Sequence, residues 1–253
     1  MAEPLLAATD VTVQFGGLVA LSEVELEVAA SGITGLIGPN GAGKTTFFNV
    51  ITGLQRPTRG VVRYDGHEIS RWSPNRRGRA GISRTFQRLE LFGGMSIRDN
   101  LSAAWEANVP GGVLGRRSHE GRALVSGVLN RLELTGIADR RAGDLPTGLG
   151  RIVELGRALC TQPKLLLLDE PSSGLDAGET AMFRDLLLEI TSTGRGDRPP
   201  PAVLLVEHDV RLVMEVCRQI TVLDFGRRIA CGTPDAVQND PAVITAYLGE
   251  TAA

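Results

Sequence analysis

Residues 38–45 read Gly38-Pro39-Asn40-Gly41-Ala42-Gly43-Lys44-Thr45, a full match to the pattern G-x-x-x-x-G-K-[ST]. The residue types explain the spacing. Glycines let successive backbone N–H groups turn inward around phosphate oxygens, and a helix that begins as the loop ends adds its positive dipole end. Lys44 is then placed to reach the β- and γ-phosphates of a nucleotide, and the Thr45 hydroxyl to ligate Mg²⁺. At this chain's own composition the pattern arises by chance about once in 70,000 positions, roughly 0.3% over 253 residues. A second constellation is Leu165-Leu166-Leu167-Leu168-Asp169-Glu170, an apolar run that ends on two acids. A carboxylate at the C-terminal end of a parallel strand lies in the crevice where such sheets bind ligands. Asp169 is the metal candidate there, and Glu170 the base that activates water.

These residues need particular elements beneath them. The run Ile33-Thr34-Gly35-Leu36-Ile37 stops at the glycine-rich segment and resumes as Thr45 to Thr52 before Gly53, the order strand, loop, helix. Lys164 to Asp169 and Ala202 to Glu207 are short, continuous apolar runs, which suit parallel strands covered on both faces. Thr180 to Thr193 places Met182, Phe183, Leu186, Leu187 and Ile190 at helical spacing, giving a crossover helix and an α/β core. Residues 9–15 and 21–28 alternate polar and apolar about Gly16-Gly17, the signature of half-buried antiparallel strands. From about Leu89 to Asp144 the chain lacks strong strand runs and shows helical patterns at Ser96 to Asn108 and Glu120 to Leu134, joined by Val109-Pro110-Gly111-Gly112. That stretch reads as a helical insertion. A hairpin is expected at Ile220 to Ala230 about Phe225-Gly226, then short helices starting near Pro234 and Pro241. Arg195 to Pro201 reads as a surface loop.

Five features now stand in order along the chain: the phosphate loop, Gln87 within Arg84-Thr85-Phe86-Gln87, the Leu165 to Glu170 strand end, Ser173-Gly174-Leu175-Asp176, and His208 within Val206-Glu207-His208-Asp209. Together they resemble the nucleotide-binding subunit of ABC transporters over essentially the whole chain. The resemblance implies a single ABC ATP-binding domain over residues 1–253, with a P-loop NTPase core of the RecA kind and an N-terminal antiparallel β subdomain in 1–88 and 145–253, and a helical subdomain in 89–144. It implies ATP and Mg²⁺ as ligands. Phe15 would stack on adenine, Gly38 to Thr46 would hold the phosphates, and Thr45, Gln87 and Asp169 would surround the metal. Lys44, Glu170, Gln87 and His208 would form the catalytic set, with Glu170 activating water and His208 against the γ-phosphate. Asp176 would lie at a dimer interface. On their residues alone Phe15 also suits a core position, Gln87 a polar loop and His208 a strand end.

Finer features look like the branched-chain amino acid uptake type: Phe15-Gly16-Gly17-Leu18, Arg84 to Gln87 leading to Leu91-Phe92 and Met95, Asn100-Leu101, and Ala246-Tyr247-Leu248-Gly249-Glu250. Similar subunits serve urea or amide uptake or lipopolysaccharide export, and soluble ABC ATPases form a further class. The implied partners are a second ATPase subunit, identical or different, transmembrane permease subunits and, indirectly, a solute-binding protein, with the chain held peripherally at the cytoplasmic face of the membrane. One departure stands out. The family signature, typically Leu-Ser-Gly-Gly-Gln, falls on Leu145-Pro146-Thr147-Gly148-Leu149, so Pro146 stands where a serine hydroxyl would meet phosphate across the dimer. Either signatures are loose in this subgroup, or a heterodimer pairs this intact phosphate loop with its partner's signature.

Composition sets the outer bounds. With 27 basic and 29 acidic residues the net charge is −2, and 42% hydrophobic with 22% charged residues describes an ordinary globular chain. Only Lys44 and Lys164 are lysines; the other basic residues are Arg. Six arginines (71, 76, 77, 79, 84 and 88) stand between Glu68 and Glu90 with no acid among them. In a chain of balanced charge, and with only Trp72 and Phe86 as aromatics among them, they argue for a solvated loop or a permease-facing surface rather than for nucleic acid. Arg116-Arg117 and Arg140-Arg141 likewise read as solvated. Cys160, Cys217 and Cys231 have no ligand or disulfide spacing and read as small buried residues. Acidic residues near the N-terminus speak against a secretory leader, and no run reaches the roughly 18 apolar residues of a membrane helix, so any membrane span would come from another chain.

Overall fold

Polar and apolar residues alternate along the first two strands, and a half-buried antiparallel pair results. The computed structural model describes residues 3–108, 116–194 and 198–250. Strands β1 (Leu6–Phe15) and β2 (Leu18–Val28) pair antiparallel with irregular register, and Leu6, Val11, Val13, Leu21 and Val24 face inward with no exposed area. Next come β3 (Ile33–Ile37), α1 (Lys44–Thr52), β4 (Arg59–Tyr64), β5 (His67–Glu68), α2 (Pro74–Arg79) and β6 (Ile82–Arg84). A helical stretch follows with α3 (Ile97–Asn108), α4 (Arg116–Arg131) and α5 (Thr147–Cys160). The chain then alternates β7 (Leu165–Asp169), α6 (Ala177–Ser192), β8 (Ala202–Val206) and α7 (Val210–Val216), and ends with β9 (Gln219–Asp224), β10 (Arg227–Gly232), α8 (Pro234–Gln238) and α9 (Pro241–Glu250).

Two sheets form. One is antiparallel in the order β2-β1-β4-β5; the other runs β10-β9-β3-β8-β7-β6, parallel except for the β9–β10 hairpin. The central strands explain their unbroken apolar runs. Leu166, Leu168, Val203 and Leu205 enter one core with α3 to α7, while Leu165, Leu167, Ala202, Leu204 and Val206 enter the other with α1 and the antiparallel sheet. Each strand is thus buried on both faces in a three-layer stack, and each leucine removed from water contributes about 1.5–3 kcal/mol.

The register fixes where the strands stop. Leu36 of β3 and Asp169 of β7 both pair with Val206 of β8, and Arg84 of β6 pairs with Leu167. The segments after β3, β6, β7 and β8 therefore emerge at one edge of the sheet.

Several expectations need correction. Strands β4, β5 and β6 lie where no strand pattern was legible. The arginine-rich stretch is not a solvated loop throughout: it supplies α2 and β6, and Arg77 is 1% exposed. Its guanidinium donates to the carbonyls of Val50 and Ile51 in the last turn of α1, at 2.6 and 2.7 Å, and to those of Ile69 (2.6 Å) and Trp72 (3.2 Å). A cation at the negative end of the phosphate-loop helix gives its last-turn carbonyls a charged donor, that of Val50 accepting also from Gly53 N–H at 3.3 Å, and burial lowers the Arg77 pKa to about 10. Cys160 and Cys217 are buried as expected, but Cys231, on the outer hairpin strand, is exposed. Arg140 and Arg141 are exposed; the side chains of Arg116 and Arg117, the 109–112 linker and part of the Arg195 to Pro201 loop lie outside the described residues.

Candidate active site

The loop between β3 and α1 is built by close backbone approach. Gly38 has φ +148° and Gly43, the residue before α1, has φ +101°. A Cβ on Gly38 would lie 2.0 Å from the Leu223 carbonyl oxygen of β9, and one on Gly43 would lie 2.7 Å from Leu21 of β2 and 2.9 Å from the Ala20 carbonyl. Glycine is thus required by the crossing of three chain segments and by the left-handed backbone. Ala42 anchors the loop: its carbonyl accepts from Gly226 N–H, and its N–H donates to the Pro39 carbonyl. Gly41 and Asn40 face solvent, and space opens beyond Gly41, where a Cβ would meet no atom within 4 Å. Lys44 is buried and its ammonium donates to the carbonyls of Gly38 (2.5 Å) and Pro39 (2.9 Å), so it lies folded along the inside of the loop. Thr45, in the first turn of α1, is exposed and Thr46 half-buried.

Asp169 ends β7 with its side chain 7% exposed, and its Oδ2 accepts from Arg84 Nη2 at 2.7 Å. Arg84 also donates to Asn49 Oδ1 of α1 at 2.7 Å. The next residue, Glu170, takes φ +47°, unusual for a residue with a Cβ, and this turn aims its carboxylate out of the sheet. Gln87 Nε2 donates to Glu170 Oε2 at 2.7 Å, and His208 Nδ1 stands 3.8 Å from the same oxygen. Three residues from three loops thus converge where the parallel strands end, on the side from which β3 runs into the phosphate loop and Lys44. Phe15, half-exposed at the end of β1, presents an open aromatic ring on the antiparallel sheet.

The signature residues form a separate structure. Leu145 and Leu149 pack partly into the helical core, and Pro146 is the residue before α5, with no side-chain cap on that helix. The first turn of α5 therefore keeps N–H groups for an anion. Thr147 lies against Gly174, and Gly148 is buried so tightly that a Cβ would come within 2.3 Å of Glu179 Oε1. Asp176 caps α6: it accepts from Glu179 N–H at 2.8 Å while Glu179 accepts from Asp176 N–H at 3.1 Å, a reciprocal capping box.

Sequence reasoning missed three residues that hold this site. Arg84 compensates Asp169. Arg151 of α5 donates to the carbonyls of Phe86 (3.2 Å) and Gln87 (2.6 Å) and pairs with Glu154, whose carboxyl burial pushes up while Arg151 pulls it down. Glu207, after β8, is fully buried. An acid at the end of a buried strand was the signal for Asp169, and the same signal applied to Glu207.

The oxygen donors suit Mg²⁺. One carboxylate, one hydroxyl and one amide are too few for a protein-only cage, and among the described residues there is no cluster of three His, Cys, Asp or Glu side chains. Mg²⁺ held by one or two protein oxygens with substrate phosphates and water needs no more.

A glycine-built phosphate loop between a parallel strand and its helix, with paired acids at the end of the strand two places away in the same sheet, defines a P-loop ATPase. Comparison with known proteins then places it within that class. The ABC transporter family pattern matches residues 21–173, and the pattern of the branched-chain amino acid ATP-binding cassette transporter matches residues 227–253. The chain is 38% identical to the high-affinity branched-chain amino acid transport ATP-binding protein BraF of Pseudomonas aeruginosa, over 99% of this chain and 100% of that protein. It is 37% identical to LivG of Escherichia coli, of the same description, over the same shares. A solved ATP-binding cassette of an ABC transporter in its ADP conformation superposes with a TM-score of 0.83 at 28% identity, covering 98% of this chain and 100% of that one. The chain belongs to the ABC transporter family and is one of its ATP-binding ATPase subunits.

Proposed function

We propose that the chain hydrolyses ATP at this sheet edge to drive import of branched-chain amino acids or related small polar solutes. The observation that carries the reading is the convergence of Gln87 and His208 on Glu170 beside the phosphate loop. Phe15 stacks on adenine, and Gly38, Pro39, Asn40, Gly41, Ala42, Gly43, Lys44, Thr45 and Thr46 hold the phosphates. Thr45, Gln87 and Asp169 hold Mg²⁺, which when bound neutralises phosphate charge. Glu170 accepts the proton of the attacking water, and Gln87 and His208 orient groups about the γ-phosphate. The cargo class rests on the relatives' names and on the C-terminal family match at 227–253.

In this reading residues 1–88 and 145–253 form the catalytic core with its antiparallel sheet, and 89–144 a helical subdomain. A second ATPase subunit, identical or different, supplies the opposing signature, while Leu145 to Leu149 and Asp176 face that partner. Permease subunits supply the membrane span, consistent with the absence, among the described residues, of a helix long and apolar enough to cross a membrane. Exposed Phe86, Leu89, Phe92 and Met95 beside Gln87 offer the apolar surface for that docking at the cytoplasmic face, and a solute-binding protein acts through the permease. No nucleic acid takes part.

The test is Glu170→Gln in the chain assembled with its partners. Hydrolysis is expected to fall by about 100-fold or more with ATP affinity kept, the usual worth of a general base. Unchanged turnover would remove Glu170 from that role.

A further inference from the structure

Glu207 is an acid with no exposed side-chain area, and nothing above gives it a part in the reaction. It stands one residue beyond β8, as Glu170 stands one residue beyond β7, and Glu170 N–H donates to the Val206 carbonyl, so the two strand ends are tied together. The two oxygens of Glu207 serve different loops. Oε1 accepts from the Ser172 N–H at 2.8 Å, and Oε2 accepts from the His208 N–H at 3.2 Å. His208 Nδ1 is also 3.8 Å from that same Oε2, equal to its 3.8 Å separation from Glu170 Oε2. The imidazole thus stands between an outward carboxylate and a buried one. Ser172 begins the turn that runs to Asp176, where Leu175 N–H donates back to the Ser172 carbonyl.

A buried carboxylate is costly unless its acceptor sites are filled. Burial indeed drives the Glu207 carboxyl above its ordinary range, while the donors at Ser172 and the nearby His208 pull it back. Two acceptor oxygens at opposite ends of one planar group are what two N–H donors on separate loops require. A glutamine offers only one acceptor, and its amide N–H would face a second donor.

We propose that Glu207 is a positioning residue for hydrolysis: it clamps the His208 backbone to the Ser172–Asp176 turn, so the histidine and that turn keep one arrangement relative to Glu170. The inference rests on the site reading above, in which His208 acts at the γ-phosphate. The Glu207 side chain has no exposed area and is occupied by the Ser172 and His208 N–H groups, so its removal acts on turnover through His208 and leaves ATP affinity alone.

The experiment is a double-mutant cycle on the full chain assembled with its permease and partner subunit, reading kcat for ATP hydrolysis and the dissociation constant of ATP by fluorescence titration. Glu207→Gln is expected to lower kcat about 10- to 100-fold, the range for a misplaced catalytic group, with ATP affinity within twofold of the parent. Glu207→Gln/His208→Ala is expected to be no slower than His208→Ala alone. A parent-like kcat for Glu207→Gln, or losses that multiply in the double variant, overturns the positioning role. Glu207→Asp keeps both oxygens one methylene further back and is expected to fall between parent and Glu207→Gln. Should Glu207→Gln not fold, the same cycle runs on Glu207→Asp, where a parent-like kcat or multiplying losses again overturn the role. A parent complex without hydrolysis, or His208→Ala at full rate, would instead overturn the site reading itself.

Discussion

Arg84→Met tests whether Asp169 is held as an ionised, compensated group. The Arg84 and Asp169 side chains are 9% and 7% exposed and meet at 2.7 Å. Methionine keeps most of the packing that the arginine stem makes beside the Phe48 and Phe86 rings, whose centroids lie 5.4 and 5.2 Å from the guanidinium carbon. It also removes an Nε that is buried without a hydrogen-bond partner. What remains is an acid without its counter-ion, and breaking a buried pair from one side costs about 3–5 kcal/mol. At about 2–4 °C per kcal/mol for a chain of this size, the melting temperature should fall by roughly 6–20 °C. Arg84→Met/Asp169→Asn, which removes both charges, should recover most of the loss, because a buried ion pair contributes little net stability over neutral groups. Mg²⁺ with ATP should raise the melting temperature more in Arg84→Met than in the parent, since binding then also compensates the orphaned acid. The assay is thermal unfolding by circular dichroism, with and without equimolar Mg²⁺ and ATP. A single variant within about 1 kcal/mol of the parent, or a double variant no more stable than the single, would refute the reasoning.

Arg77→Leu should destabilise the chain by about 3–5 kcal/mol in urea unfolding, because the carbonyls of Val50, Ile51, Ile69 and Trp72 lose a shared donor in a buried site. Arg77→Lys should recover only part of that, since a single ammonium cannot span four acceptors. Maleimide labelling of the native chain should modify Cys231 alone, with Cys160 and Cys217 reacting after unfolding, as read by intact mass. Burial, with Glu207 nearby adding to it, pushes the Cys217 thiol up to about 12 and so withholds the reactive thiolate.

The parts of this structure legible in the sequence share a local cause. Leu165 to Asp169 and Ala202 to Val206 are unbroken apolar runs because each strand is covered on both faces, and the phosphate loop announces itself because few residue types can make it. What escaped was decided by contacts distant in sequence. Strand β6 has three residues, of which only Ile82 is an apolar aliphatic, and it is a strand because β7 offers it an edge. Arg77 looks like any member of a basic run until the end of α1, 26 and 27 residues earlier, supplies carbonyls for it. Arg84 looks the same until Asp169, 85 residues later, arrives beside it. The Asp176 and Glu179 spacing, by contrast, carried a capping signal, so a residue assigned to an interface has a structural duty as well.

Gln87 and His208 sit on loops, and each loop is held from behind by a buried charged residue. Arg151 grips the Phe86 and Gln87 carbonyls from the first turns of α5, and Glu207 grips the Ser172 and His208 N–H groups. Stability alone is a poor reason for such groups, since apolar packing of similar volume would serve as well or better. Direction is a better one. Inward-facing loop carbonyls and N–H groups need partners, and a guanidinium or a carboxylate satisfies two at once while fixing their mutual geometry. Gln87 is thereby tied to the helix that begins at Thr147, and His208 to the turn that ends at Asp176. Those are the two segments assigned above to the partner-facing surface, so a shift of either one carries a side chain that contacts Glu170 or stands beside it.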